Sequence, residues 1–375
     1  MCSHHKYMKI NLKQKPLMQS YKPYIDFIRY SIGSLSAVPD SSKEIEWAEF
    51  YAFCQRQGIT GLVFAGLERS GLHIPQEVLF EWLSVAQTIQ ATNRIVDGQC
   101  HKVSRFWDEK GFPNCILKGQ ACATMYPQPE MRTPGDIDIW VEGNTADIIR
   151  IAQEEAPKGH YSLHHVTMPV FKDTQVEVHY RPVFLENWFK DKLLQKYIDE
   201  VKHTQFNNAV MLNDGKTVVH ALTDDFNAVF LLLHMWHHLL STRNNLKQLI
   251  DYYFLLKRDI PIPQREQIAT LFRRLGVYKY ARGIMWMMNK ILGLPAELLI
   301  VPPDEKIGRL VFQETLNFTG KEEDSNRLHI LVNSITNNKH LFLHFPSSVL
   351  ISPIYLVWHQ WWKVNMKRKL KNTSA

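Results

Sequence analysis

The 375-residue sequence lacks most of the signatures that assign a chain to a large enzyme class. Its five cysteines (Cys2, Cys54, Cys100, Cys115, Cys122) are odd in number and form no C-x-x-C pair. That argues against a disulfide framework and a zinc ribbon, and it suits a reducing cytoplasm. No G-x-x-x-x-G-K-[ST] and no G-x-G-x-x-G run occurs, so phosphate-loop and Rossmann sites are excluded on motif grounds. G-x-S-x-G is also absent, which removes the nucleophile-elbow hydrolases. There is no internal repeat and no low-complexity segment. The N-terminal MCSHHKYMKINLKQKPL is basic but has no apolar run of the secretory type. Leu341 to Trp362 has no Asp, Glu, Lys or Arg, yet Pro346, Pro353 and several Ser, His and Gln residues argue against a bilayer span there.

What is present is an ordinary globular composition, 45% hydrophobic and 22% charged, in a chain long enough for two or three domains. The net charge of +7 is compatible with anionic partners such as nucleotides, nucleic acid or acidic lipid. Much of the excess lies at the two ends, in Lys6 to Lys22 and Lys363 to Lys371, where solvated tails are the plainer explanation.

The informative stretch is Cys115 to Glu142. Gly135-Asp136-Ile137-Asp138-Ile139-Trp140-Val141 places two carboxylates one residue apart in an apolar run. On a strand, Asp136 and Asp138 project to one side while Ile137, Ile139 and Val141 face a core. Two like charges side by side are unfavourable unless a divalent cation joins them, and oxygen donors suit Mg²⁺ or Mn²⁺. Upstream, Cys115-Ile116-Leu117 reads as a short buried strand, and Lys118-Gly119 as a turn opening a helix through Ala121, Ala123 and Met125. Such a turn offers free N–H groups to a phosphate, with Lys118 adding a point charge. Downstream, Gln175-Val176-Glu177-Val178-His179-Tyr180 alternates, so Glu177 and His179 share a face, and Glu177 is placed to complete a three-carboxylate cluster. Arg132, in the proline-rich loop Tyr126 to Pro134, either reaches a phosphate or pairs with Glu130. Asp251, an acid in an apolar helix, either faces the cleft or is paired. His234, His237 and His238 share one helix face; without an H-E-x-x-H glutamate, packing near an interface is the plainer reading, and zinc chemistry the sharper one.

The strand–K-G–helix, R-x-x-x-D-I-D-I-x-V and V-E-V-H-Y runs together resemble the nucleotidyltransferase superfold of polymerase-β type. Within it the chain is most similar to an uncharacterised bacterial nucleotidyltransferase-like family, with the pattern L-K-G…Y-P…R…D-I-D…E-x-H, over roughly residues 85–255. The wider superfold usually has Gly-Ser or Gly-Gly where this chain has Lys118-Gly119; the narrower family shares K-G. The resemblance implies transfer of a nucleoside monophosphate from an NTP to an acceptor hydroxyl by a two-metal mechanism. Asp136, Asp138 and Glu177 would be the catalytic and metal residues. Lys118, Gly119, Arg132, His179 and Asp251 would bind the nucleotide. The alternative is an inactive nucleotide-binding or scaffold protein, with membrane-surface association through the Trp-rich tail as a variant of it. The acceptor, base preference and oligomeric state are not legible.

The fold expectation is α/β (α+β): a small mixed-sheet core flanked by helical regions. Residues 1–20 are expected as a poorly ordered basic tail, 21–112 as helical, 113–182 as the core, and 183–340 as a C-terminal helical domain. Residues 341–375 are expected as a Trp-rich helical segment with a basic tail. A long helix is expected over Gln76 to Lys110, with Gly98 as a point of division, and a late helix over Asp324–Asn337.

Overall fold

A computed structural model describes residues 17–241, 243–318 and 339–373. The expected helix Asp324–Asn337 and most of the N-terminal tail lie outside the described residues. Helices α1 (Lys22–Ser31), α2 (Trp47–Gln57) and α3 (Thr60–Ser70) lead into α4 (Gln76–Glu109). Gly98 does not divide α4, which runs unbroken for 34 residues, about 50 Å at 1.5 Å per residue. One glycine costs only about 1 kcal/mol of helix propensity, and burial of Trp82, Val96, Cys100 and Trp107 along the same helix outweighs it.

The core follows as β1 (Asn114–Ile116), the single turn α5 (Gln120–Ala123), β2 (Ile137–Val141), α6 (Thr145–Glu155), β3 (His165–Thr167) and β4 (Val176–His179). The sheet order is β1-β2-β4-β3; β2 and β4 are parallel, and the outer strands are antiparallel to their neighbours. This is the small mixed sheet that the strand–helix–strand alternation implies. Asn144 caps α6 by accepting the Ala146 N–H at 2.9 Å.

One face of the sheet is apolar. Ile137, Ile139, Val141, Val176 and Val178 pack with Val96, Cys100 and Trp107 of α4 and with Ile148, Ile149 and Ala152 of α6. The opposite face carries Asp138 and Trp140 on β2, and Glu177 and His179 on β4. A one-residue slip would push Asp138 into the apolar layer and expose aliphatics each worth roughly 1.5–3 kcal/mol when buried. Hydrophobic patterning thus fixes which face is chemical.

Beyond the sheet come α7 (Trp188–Gln205), the ribbon β5 (Ala209–Met211) and β6 (Val218–His220), then α8 (Asp224–Leu240), α9 (Leu246–Leu256), α10 (Ile262–Leu275), α11 (Tyr278–Trp286), α12 (Glu305–Leu316) and α13 (Pro346–Thr373). The N-terminal helices and α8–α12 share one apolar cluster, which also takes Cys115, Leu117 and Trp140 from the sheet. The two flanking helical regions therefore meet over the chemical face. α13 returns to the sheet layer, where Trp362 and Met366 join its apolar cluster. No described helix is long and apolar enough to cross a membrane.

Candidate active site

Asp138 and Glu177 stand opposite each other on the parallel strands β2 and β4, with Trp140 opposite His179. Pairing in register on one sheet face brings the two carboxylates together from distant parts of the chain. The Leu117 N–H donates to the Asp138 carbonyl at 2.9 Å, extending the β1–β2 ladder by one step. That step sets Lys118 against Asp138, with Nζ 3.3 Å from Oδ2. His179 Nε2 lies 3.0 Å from Asp138 Oδ1 and 3.5 Å from Glu177 Oε2. His165, from the edge strand β3, brings Nδ1 to 3.7 Å from Glu177 Oε2.

Asp138 is 1% exposed, yet its Oδ2, although near the Lys118 ammonium, accepts no well-formed hydrogen bond among the described residues. A buried carboxylate oxygen in that state is costly, and a further cation would relieve it. Asp138, Glu177 and His179 each bring one donor atom within 4.8 Å of the others, as do His164, His165 and His179.

The electrostatics follow from this convergence. Burial works against the Lys118 ammonium, but Asp138, Glu177 and Asp136 outweigh it and hold its pKa above the lysine norm. Burial likewise disfavours charge on His179, but its bonds to Asp138 and Glu177 raise its pKa. For Glu177, burial is overcome by the His179 hydrogen bond and by His165, His179 and Lys118, so its carboxyl sits well below the usual range. Asp136 is exposed just before β2. Partial burial of its carboxyl, then Asp138 and Glu177, raise its pKa. Asp136 thus feels the other two acids but stands outside both converging donor groups.

Gly119 has φ +62° and ψ −114°, backbone space that side-chain-bearing residues rarely enter. The helix it opens is a single turn of four residues, not the run to Met125 expected from the apolar spacing. A single turn carries little aligned dipole, so a phosphate here would be held by Lys118 and local N–H groups. Arg132 does not pair with Glu130. Its Nε and Nη2 donate to the two Asp251 carboxylate oxygens, each at 2.8 Å, and Tyr126 OH adds a bond of 2.7 Å. Both side chains are about 5% exposed or less. Arg132 and Asp251 hold each other, which is the paired alternative for Asp251, and together they tie the loop before β2 to α9. Asn93 of α4 fixes the same loop by donating to the Glu130 and Arg132 carbonyls at 2.7 and 2.9 Å.

The α8 histidines divide. His234 Nε2 lies 3.4 Å from Lys118 Nζ and 3.1 Å from His238 Nε2, so these two form a wall beside the lysine. Burial, then Lys118, lowers the pKa of both; His238 falls to about 3. Neutral rings next to an ammonium can accept from it, and neither converging donor group among the described residues includes them. His237 turns away, its ring 5.0 Å from that of Phe184.

Lys247, one helical turn before Asp251 on α9, was not singled out by the sequence. Its ammonium lies near Gly135, at the approach to Asp136. Burial, then Arg132, lowers its pKa to about 8, against the pull of Asp251 and Asp136. The available signal was a lysine at i−4 from an acid in an otherwise apolar helix.

Among solved structures the chain is similar to an antigenic nucleotidyltransferase-like protein from Paracoccidioides brasiliensis, at 12% identity, over 52% of this chain and 92% of that one, with a TM-score of 0.34. No curated protein matches. A family model described as an uncharacterised nucleotidyltransferase matches residues 43–293, which contain the whole sheet and every side chain of the site from Lys118 to Asp251. By that match over two thirds of its length, the chain belongs to the uncharacterised nucleotidyltransferase family.

Proposed function

We propose that this chain binds a nucleoside triphosphate over the polar face of β2 and β4 and transfers the nucleoside monophosphate to an acceptor hydroxyl, releasing pyrophosphate. The observation that carries the reading is the in-register pairing of Asp138 with Glu177, with Lys118 3.3 Å from Asp138. The donor chemistry fits a divalent cation, because Asp138, Glu177 and His179 each bring a donor atom within 4.8 Å of the others, and the buried Asp138 Oδ2 has only the Lys118 ammonium, 3.3 Å away, beside it among the described residues. Asp138 and Glu177 would hold it, with Asp136 at the mouth. Bound there, such an ion supplies Lewis acidity toward phosphate oxygens.

The chain's own residues do the rest. Lys118 and Lys247 both act on the Asp136 carboxyl, and at that mouth they neutralise negative charge that develops on the phosphates. His179, clamped between Asp138 and Glu177, fixes the orientation of both carboxylates. Glu177, ionised well below neutral pH, is suited to contribute a ligand oxygen and is only a weak base for the acceptor's proton. Asp251 and Arg132 are positioning residues, since their charges are satisfied by each other.

The test is calorimetric titration of the four NTPs, with and without Mg²⁺ or Mn²⁺, on the parent and on Asp138→Ala and Glu177→Ala. Metal-dependent binding of an NTP that both variants lose supports the reading and identifies the donor. Binding of no NTP, or binding indifferent to ion and substitution, refutes it and favours a scaffold role.

A further inference from the structure

The polar face carries more imidazole than a phosphate-transfer site built on carboxylates requires. One ring nitrogen from each of His164, His165 and His179 lies within 4.8 Å of the others. The ring centroids are 4.4 Å (His164–His165), 5.3 Å (His165–His179) and 5.6 Å (His164–His179) apart. His164 and His165 are adjacent in sequence, where alternation would send their side chains to opposite faces. Their ring nitrogens nevertheless converge: His164 Nε2 lies 2.9 Å from His165 Nδ1. His164 sits in the bend just before β3, which frees it from the pleat.

We propose that His164, His165 and His179, with Glu177 beside them, form a transition-metal site that takes a nitrogen-seeking ion such as Zn²⁺ or Co²⁺. The site shares His179 and Glu177 with the carboxylate cluster of β2 and β4 and has His164 and His165 as its own donors, and it does not depend on the nucleotide-transfer reading.

Four observations support it. Two imidazole nitrogens bound to one ion at about 2.1 Å stand roughly 3.0–3.4 Å apart, and the His164–His165 pair already stands near that separation, at 2.9 Å. The other nitrogen of His164, Nδ1, lies 3.3 Å from Ser162 Oγ. A hydroxyl holding Nδ1 is the kind of outer partner that sets a ligating ring's tautomer and leaves Nε2 with its lone pair. Glu177 Oε2, 3.7 Å from His165 Nδ1 and 3.5 Å from His179 Nε2, supplies a carboxylate at the same point. Finally, Asp138 and Glu177 bring two negative charges, and Lys118 is the only lysine or arginine paired with either among the described residues. Imidazole donors select Zn²⁺, Co²⁺ or Ni²⁺ over Mg²⁺, which prefers oxygen and keeps its waters. A simple His–His hydrogen bond explains the 2.9 Å contact alone. It does not explain why a third imidazole and a carboxylate meet it.

The experiment uses the full chain, stripped with a chelator and titrated with Co²⁺ and Zn²⁺ in excess Mg²⁺. Nitrogen coordination reads out as visible Co²⁺ absorption, and binding strength by equilibrium dialysis. Cys2, His4 and His5 offer an unrelated set of donors, so the variants decide rather than the stoichiometry. The expected result is Mg²⁺-resistant binding that His164→Gln and His165→Gln each weaken by at least roughly 10–100-fold, while His237→Gln leaves it unchanged. Zn²⁺ should also raise the unfolding midpoint of the parent but not of either variant, a readout that holds even where a variant is less stable. No Co²⁺ absorption on the parent, or affinity unchanged in both variants, overturns the proposal. NTP titration of His165→Gln separates this site from the transfer reading: intact Mg²⁺-dependent NTP binding with lost Zn²⁺ binding means two distinct functions on one face.

Discussion

Removing one partner of the Arg132–Asp251 pair leaves a bare charge where water cannot reach. Asp251→Ala strands a guanidinium that is 4% exposed and takes the acceptor from the Tyr126 hydroxyl. Breaking a buried pair from one side costs about 3–5 kcal/mol, because the remaining ion keeps its desolvation penalty without its partner. In the parent Asp251 more than offsets the burial that disfavours charge on Arg132; without it, the intrinsically very high pKa of a guanidinium still keeps the proton on, so the charge stays buried and unpaired. Replacing both partners by apolar residues of similar size, Arg132→Met with Asp251→Leu and Tyr126→Phe, should recover most of the loss. The measurement is the urea unfolding midpoint by circular dichroism, with NTP calorimetry alongside. If Asp251→Ala shifts stability by less than about 0.5 kcal/mol, the range of an ordinary surface change, but abolishes NTP binding, then the acid faces the ligand and its positioning role is refuted.

Further outcomes are expected at Lys247, at the buried histidines and at Gly119. Lys247 has a folded pKa of about 8, so its ammonium is lost above that pH; NTP affinity should fall by up to about tenfold per pH unit there, and Lys247→Arg should keep it flat by calorimetry. The same depressed pKa means that this residue's penalty on stability eases as pH rises from about 8 toward its unfolded value. The buried neutral histidines work in the acid range: His165 and His237 are lowered to about 4 and His238 to about 3, chiefly by burial. Unfolded histidines protonate near pH 6.5, so the stability these residues contribute is complete above that pH and lost as pH falls toward 4. The loss is about 1.4 kcal/mol for each pH unit travelled between the unfolded and folded pKa of one ring. Urea midpoints measured in chelator from pH 7 to 4 should show it, and His238→Gln should flatten the profile. Gly119→Ala forces a side chain into φ +62°, with its Cβ 3.4 Å from the Asp136 carbonyl oxygen. It should cost about 1–3 kcal/mol by the same unfolding assay, and no loss would mean the turn relaxes freely.

The chemical face was legible because strand alternation is a local rule. Ile137, Ile139 and Val141 declare the buried side of β2, and Asp138 then has only one direction left. Glu177 and His179 follow from the same period on β4. The donor site at His164-His165 was not legible, since the convergence of the two rings depends on a bend that breaks the alternation. Apolar spacing after Gly119 suggested a longer helix than forms. Those residues lie against α4 and α9, and tertiary contacts override periodicity in so short a segment.

The sequence by itself determined the sheet's two-sidedness, the pairing of carboxylates with a preceding lysine, and the family pattern that they form. Those properties rest on spacings of two to four residues, which backbone geometry converts directly into direction. Only the tertiary structure decided that Arg132 and Asp251 satisfy each other across 119 residues of chain, and that Lys247 takes the place near Asp136. It also decided which α8 histidines meet Lys118. The physical reason is common to all three. A charged side chain states only that it needs a partner, and which partner it finds is settled by how helices far apart in sequence pack against the same sheet.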